Sequence, residues 1–302
     1  VHLGERECSI QRRHQKLVEE SPSPALDEEL RHRITTATVN LIRVISYVNA
    51  GTAEFLLGPD RNFYFLEVNA RIQVEHPVTE LCTGIDLVQE QFRIAAGLPL
   101  SFTQRQVQLR GAAIECRISA EDPENRFLPA TGTVQALQEP SGPGVRIDSG
   151  LYTGLQVPLF YDPLLAKLIV WGRDRTQAIA RMRRALAEYE IMGVRTTLPF
   201  DRWLMEHPHF ISGDLSTDFV AEEWETRKKH AAHHGQGAHV EKEESDKADE
   251  MLSSSQLAAL VGGLLMQEQA KEEKLRRRPA VENGAETSRW RDVGRKEGLR
   301  RM

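Results

Sequence analysis

The sequence predicts an α+β fold, and three observations carry that expectation. Residues 67–75 read Glu-Val-Asn-Ala-Arg-Ile-Gln-Val-Glu, a strict polar/apolar alternation with the period of an extended strand. Residues 27–48 and 176–189 instead repeat apolar side chains at helical spacing, Leu30, Ile34, Ala37, Leu41, Val44, Ile45 and Val48 in the first, Ile179, Met182, Leu186 and Tyr189 in the second. Strands and helices thus come in a mixture with Gly and Pro turns, such as 141–144, and not as a regular βαβ alternation.

Taken in order, residues 1–22 are short extended runs around a polar patch, Gln-Arg-Arg-His-Gln-Lys at 11–16, whose composition suits a solvated turn. The helix over 27–48 opens on Asp27, Glu28 and Glu29, which match the positive end of its dipole, and Gly51 is its expected stop. Residues 52–58 and 62–67 form a hairpin about Pro59–Asn62. Both strands are apolar apart from Glu54 and Glu67, and a carboxylate in an apolar strand is costly unless a cation or donor meets it. In the 67–75 run Glu67, Asn69, Arg71, Gln73 and Glu75 are expected to share one face and Val68, Ala70, Ile72 and Val74 a core face, with Pro77 closing the strand. Glu54, Glu67 and Asn69 together make a set of hard oxygen ligands suited to Mg2+ or Mn2+.

A helix capped by Asp86 and stopped at Gly97 follows. Residues 111–123 open a second unit, in which Ile114, Cys116 and Ile118 alternate with Glu115, Arg117 and Ser119. Arg117 is therefore expected on the polar face of a half-buried strand, paired with Glu115 or Glu121 or else functional. An apolar strand over 164–171 precedes the second helix. After Trp224 large apolar residues nearly vanish, and a charged run with His230, His233, His234 and His239 reads as a disordered linker. Leu257, Leu260, Val261, Leu264 and Leu265 then mark an amphipathic helix, followed by a basic stretch at 274–278.

Composition bounds the function. The 302 residues carry 39 basic and 44 acidic side chains, a net charge of -5, which gives no electrostatic case for nucleic acid. No apolar run approaches the ~18 residues of a membrane span. Cys8, Cys82 and Cys116 are far apart, which suits a reducing compartment and excludes a CxxC metal site. The chain begins at Val1 inside what reads as a strand, so it is read as a fragment.

The segments GERECSIQRRHQK (4–16), GTAEFL (51–56), EVNARIQVEHPVTE (67–80) and ECRISAEDP (115–123) resemble the biotin carboxylase component of biotin-dependent acyl-CoA carboxylases, an ATP-grasp enzyme family. The resemblance runs from Val1 to about Glu222. It implies the C-terminal part of an ATP-grasp domain over 1–109 and the family's C-terminal α+β domain over 110–222. A linker over 223–250 and the helical start of a following domain over 251–302 complete the expected organisation, the 288–291 segment being similar to the start of a domain that contacts the carboxyltransferase. The implied activity is ATP-dependent carboxylation of biotin by bicarbonate. By resemblance Gln11, His14, Glu54 and Glu67 bind ATP, and Glu54, Glu67 and Asn69 hold Mg2+ or Mn2+. Lys16, Arg71, Gln73 and Val74 bind bicarbonate, Glu75 is the base, and Arg117 faces the biotin ureido oxygen. Implied partners are a biotin carboxyl carrier domain, a carboxyltransferase and, through a region containing Arg146, a second copy of the chain. The implied location is the cytoplasm, or the mitochondrial matrix in a eukaryote. A non-catalytic scaffold of the same fold and another ATP-grasp carboxylate ligase are the alternatives.

Overall fold

A computed structural model describes residues 1–227. The fold is α+β, built on a four-stranded antiparallel sheet. Two short strands, β1 (Gln11–Arg12) and β2 (Gln15–Lys16), form a hairpin, and β3 (Val18–Ser21) follows. Next come α1 (Glu28–Val44), the hairpin β4 (Thr52–Leu57) and β5 (Phe63–Asn69), α2 (His76–Thr83) and α3 (Leu87–Ala95). The second unit begins with β6 (Ala112–Ser119). Short strands pair around it: β7 (Glu121–Asp122) with β8 (Leu128–Pro129), β9 (Gly132–Thr133) with β12 (Gln156–Val157), and β10 (Ala136–Gln138) with β14 (Glu190–Met192). The long strands β11 (Val145–Ser149) and β13 (Leu164–Gly172) complete the main sheet in the order β11–β13–β6–β3. β3, drawn from the first predicted unit, is thus an edge of the second unit's sheet.

Alternation along β6 and β13 sorts side chains to two covered faces. Ile114, Cys116, Ile118, Leu168 and Val170 pack against α4 (Arg175–Glu188), which buries Ala178, Ile179, Met182 and Leu186. Ala113 and Ile169 on the opposite face pack against Val78 and Cys82 of α2. β6 is therefore buried on both sides and not half-buried as its alternation suggested, and Glu115, Arg117 and Ser119 point into a covered layer. Beyond α4, α5 (Leu198–Glu206) supplies Phe200 and Trp203 to an aromatic cluster with Phe127 and Trp224, ring centroids 5.0–5.4 Å apart for Phe127–Phe200, Phe200–Trp224 and Trp203–Trp224. Trp224 is 3 % exposed, so residues 223 and 224 belong to the folded unit and not to the predicted linker.

Several boundaries depart from expectation. Helix α1 has the predicted Asp27 cap, whose side chain accepts from the Leu30 N–H, but it ends at Val44, well before Gly51, and Val44, Ile45 and Val48 are exposed. The hairpin forms with the predicted turn, yet Leu56, Leu57, Tyr64, Phe65 and Leu66 face outward. The strand expected over 67–75 stops at Asn69. Ala70 is exposed and Val68, Ile72 and Val74 only half-buried, so there is no apolar core face. Pro77 begins α2 instead of closing a strand, a position where its missing N–H costs nothing. The predicted histidine-containing run, amphipathic helix, basic stretch and 288–291 segment lie outside the described residues.

Candidate active site

Antiparallel pairing puts Glu54 on β4 directly across from Glu67 on β5, and Thr52 across from Asn69. Asn69 Nδ2 donates to Glu54 Oε1 at 3.2 Å and to Glu67 Oε1 at 2.8 Å, so the three predicted metal ligands are together. Two carboxylates and an amide suit Mg2+, which takes few protein oxygens and completes its shell with water and phosphate. Among the described residues there is no group of three or more His, Cys, Asp or Glu that could hold a metal ion.

Past Asn69 the chain leaves the sheet, and the side chains that follow find partners by folding back. Gln73 is buried and bridges two groups: its Nε2 donates to Glu54 Oε1 at 2.7 Å and its Oε1 accepts from Arg6 Nη2 at 2.7 Å. Glu75, only 2 % exposed, sits before the first turn of α2. Lys16 Nζ reaches from β2 to Glu75 Oε1 at 2.7 Å and Glu54 Oε1 at 3.0 Å. Arg117 Nη2 reaches from β6 to Glu75 Oε2 at 3.0 Å, and its Nε donates to Glu19 Oε1 at 2.7 Å. A continuous row results: Glu67, Asn69, Glu54, Lys16, Glu75, Arg117, Glu19.

Electrostatics in the row follow from burial and neighbours. Burial pushes the Glu75 carboxyl up, but Lys16 and Arg6 outweigh it and hold the group below the usual carboxylate range, so Glu75 is ionised at neutral pH. For Lys16, burial opposes the charge, and Cys8, Glu75 and the bonds to Glu75 and Glu54 more than reverse that. Glu19 is driven up to about 7 by burial, against the pull of Arg117.

The remaining predicted residues are placed less centrally. Arg71 is exposed, donating to Ile72 O at 3.1 Å and to Asn69 Oδ1 at 3.4 Å, so it borders the row without touching Glu75. The Val74 carbonyl accepts from Lys167 Nζ at 2.8 Å. Gln11 is half-buried on β1, and His14 is exposed at the β1–β2 turn with φ 64. Arg117 pairs with Glu19 and Glu75 and not with Glu115 or Glu121, because β3 and the start of α2 bring those two carboxylates to its guanidinium. Arg146 lies on β11 and bonds Glu80 and Asp148 of its own chain.

Three members escaped sequence reasoning. Arg6 holds Gln73, Thr52 and Thr79. Lys167 holds Val74 and lies 3.1 Å from Asp148. Glu19 holds Arg117. Only Lys167 carried a signal, a lone cation in an apolar strand.

Comparison with known proteins supplies the family. Residues 1–103 match the ATP-binding domain of the carbamoyl-phosphate synthase L chain, and residues 115–222 match the biotin carboxylase C-terminal domain. A biotin carboxylase of Nostoc sp. is 58 % identical over 222 residues, covering 74 % of this chain and 50 % of the relative. A pyruvate carboxylase subunit from Methanothermobacter thermautotrophicus is 55 % identical, covering 74 % and 45 %. The biotin carboxylase domain dimer of the Hydrogenobacter thermophilus 2-oxoglutarate carboxylase, solved with MgADP, ADP and bicarbonate, is 46 % identical with a TM-score of 0.72, covering 74 % of this chain and 49 % of that one. The chain spans about half the length of the curated relatives it matches.

Proposed function

This chain belongs to the biotin carboxylase family through residues 1–222, and we propose that it carries the bicarbonate- and biotin-handling half of an enzyme that carboxylates biotin at the expense of ATP. The observation that carries the reading is the unbroken row from Glu67 to Glu19, in which a buried ionised carboxylate, Glu75, lies between two cations. The relative solved with MgADP and bicarbonate supports it.

Bicarbonate docks against Lys16, Arg71, Gln73 and the backbone of Val74. Glu75 removes its proton, and an oxygen of the resulting carbonate attacks the γ-phosphorus of ATP. That P–O bond forms as the bond to ADP breaks, giving carboxyphosphate. Bicarbonate seated on Lys16 draws that cation from Glu75 and so restores the basicity that the ion pair had suppressed. Gln11 and His14 contact the nucleotide, as do Glu54 and Glu67. A Mg2+ or Mn2+ ion held by Glu54, Glu67 and Asn69 would neutralise phosphate charge. Carboxyphosphate breaks down to CO2 and phosphate, the phosphate takes the N1′ proton of biotin, and N1′ bonds to CO2. Arg117 meets the negative charge that appears on the ureido oxygen along the way.

Biotin arrives on a carboxyl carrier domain and leaves for a carboxyltransferase. A second copy of the chain docks through the face carrying Arg146. The compartment is the cytoplasm, or the mitochondrial matrix in a eukaryotic cell. The test is Arg117→Ala in a chimera of this chain with the upstream half of the Nostoc relative. ATP affinity should stay near that of the unmodified chimera while biotin carboxylation falls by at least ~100-fold, the scale for losing one oxyanion partner. A near-normal rate would remove the assignment.

A further inference from the structure

Behind the arginine of the row stands a carboxylate with no access to solvent. Glu19 is 0 % exposed, on edge strand β3 directly opposite Glu115 of β6. Its Oε1 accepts from Arg117 Nε at 2.7 Å and lies 2.5 Å from Nη2, while Nη2 also donates to Glu75 Oε2 at 3.0 Å. The guanidinium is clamped along one edge by two carboxylates. Its Nη1 has no hydrogen-bonded side chain among the described residues.

Folding alone gives little reason for this arrangement. A fully buried carboxylate loses hydration that its ion pair returns only in part, and an apolar side chain at such a site commonly stabilises more. Glu19 Oε2 and both carboxyl oxygens of Glu115 are buried without any hydrogen-bond partner, so the pocket is poorly built as a stabilising network. What Glu19 does well is grip Arg117.

We propose that Glu19 is a positioning residue that keeps the Arg117 guanidinium in place while Glu75 changes charge. This rests on the reading of Glu75 as base and Arg117 as the group facing biotin. Once Glu75 accepts a proton it becomes neutral, and its hold on Arg117 weakens. Were Glu75 the sole partner, the cation would then be free to swing away at the step before it is needed. With Glu19 fixed on a sheet strand the geometry survives. The loss of one of two anionic partners also leaves Arg117 under-compensated, ready for the charge that forms on the ureido oxygen. Burial raises the Glu19 carboxyl and Arg117 pulls it back down, so the two groups hold each other.

Side-chain NMR of the 302-residue chain carrying Glu75→Gln, whose neutral amide stands in for protonated Glu75, tests this without any catalytic assay. The Arg117 Nε–H signal, assigned by its loss in Arg117→Lys, should exchange slowly with solvent. In Glu19→Gln, which keeps shape and removes charge, exchange should accelerate by at least about tenfold, as expected for losing a charged hydrogen bond. Glu115→Gln should leave the signal as it was. Should Glu19→Gln not fold, Glu19→Asp keeps the charge but shortens the reach and must show the same acceleration. An unchanged Arg117 signal in a folded Glu19 variant would overturn the proposal. The measurement reads only the surroundings of Arg117, so a failure here is distinct from a failure of the catalytic reading, which rests on the Arg117→Ala rate.

Discussion

Replacing Glu19 by Gln should change how the stability of the chain depends on pH, and the size of the change can be worked from its surroundings. Burial raises the folded-state titration of Glu19 to about 7 from an ordinary 4.5. A group with a raised folded value contributes stability that is fully present below the unfolded value and is lost as pH rises through the folded one. Glu19 therefore lowers stability progressively between about pH 4.5 and 7, by at most about 3 kcal/mol over those roughly 2.5 units. Its neighbour Glu115 is pushed well above the usual range by burial, with the Glu19 charge adding to the rise. Glu75 has the opposite sign: its lowered value gives stability at neutral pH that is lost on acidification. Urea denaturation at pH 5, 6, 7 and 8, on the wild-type chain and on Glu19→Gln, separates these effects. The difference in unfolding free energy should shift in favour of the variant as pH rises, levelling off above pH 7. Parallel profiles for the two proteins would refute the reasoning, because they would mean that Glu19 does not titrate in the folded state.

Two further predictions concern the chain by itself. It should bind ATP with a Kd well above the micromolar range in titration calorimetry, because the hairpin bearing Glu54 and Glu67 has Tyr64, Phe65 and Leu66 exposed and so offers one wall of a nucleotide cleft; micromolar binding would contradict this. Trp224→Ala should cost roughly 3–5 kcal/mol in denaturant unfolding, the scale for emptying a buried aromatic site; a loss near zero would show that the cluster with Phe200 and Trp203 does not hold the second unit together.

What was legible in the sequence was local. Asp27 and Asp86 cap their helices as expected, since a cap needs only a side chain and an N–H three residues on. The Glu54, Glu67 and Asn69 cluster was legible because a hairpin fixes its own register. The apparent strand over 67–75 failed for an instructive reason. Its alternation continues past Asn69, but Gln73 and Glu75 answer to Arg6, Lys16 and Arg117, not to a neighbouring strand. Glu19 was illegible for the same cause. Val-Glu-Glu-Ser reads as an exposed segment, yet pairing with a strand almost a hundred residues away buries all four side chains. Arg175 meets Glu20 across a still longer separation.

Everything catalytic in this account depends on Glu75 being the group that takes the proton from bicarbonate. The most direct measurement is bicarbonate-dependent ATP hydrolysis by the chimera with the Nostoc upstream half, comparing Glu75 with Glu75→Gln. Activity is expected in the first and none above background in the second, since the amide keeps the shape and cannot act as a base. Hydrolysis retained by Glu75→Gln at the unmodified rate would contradict it.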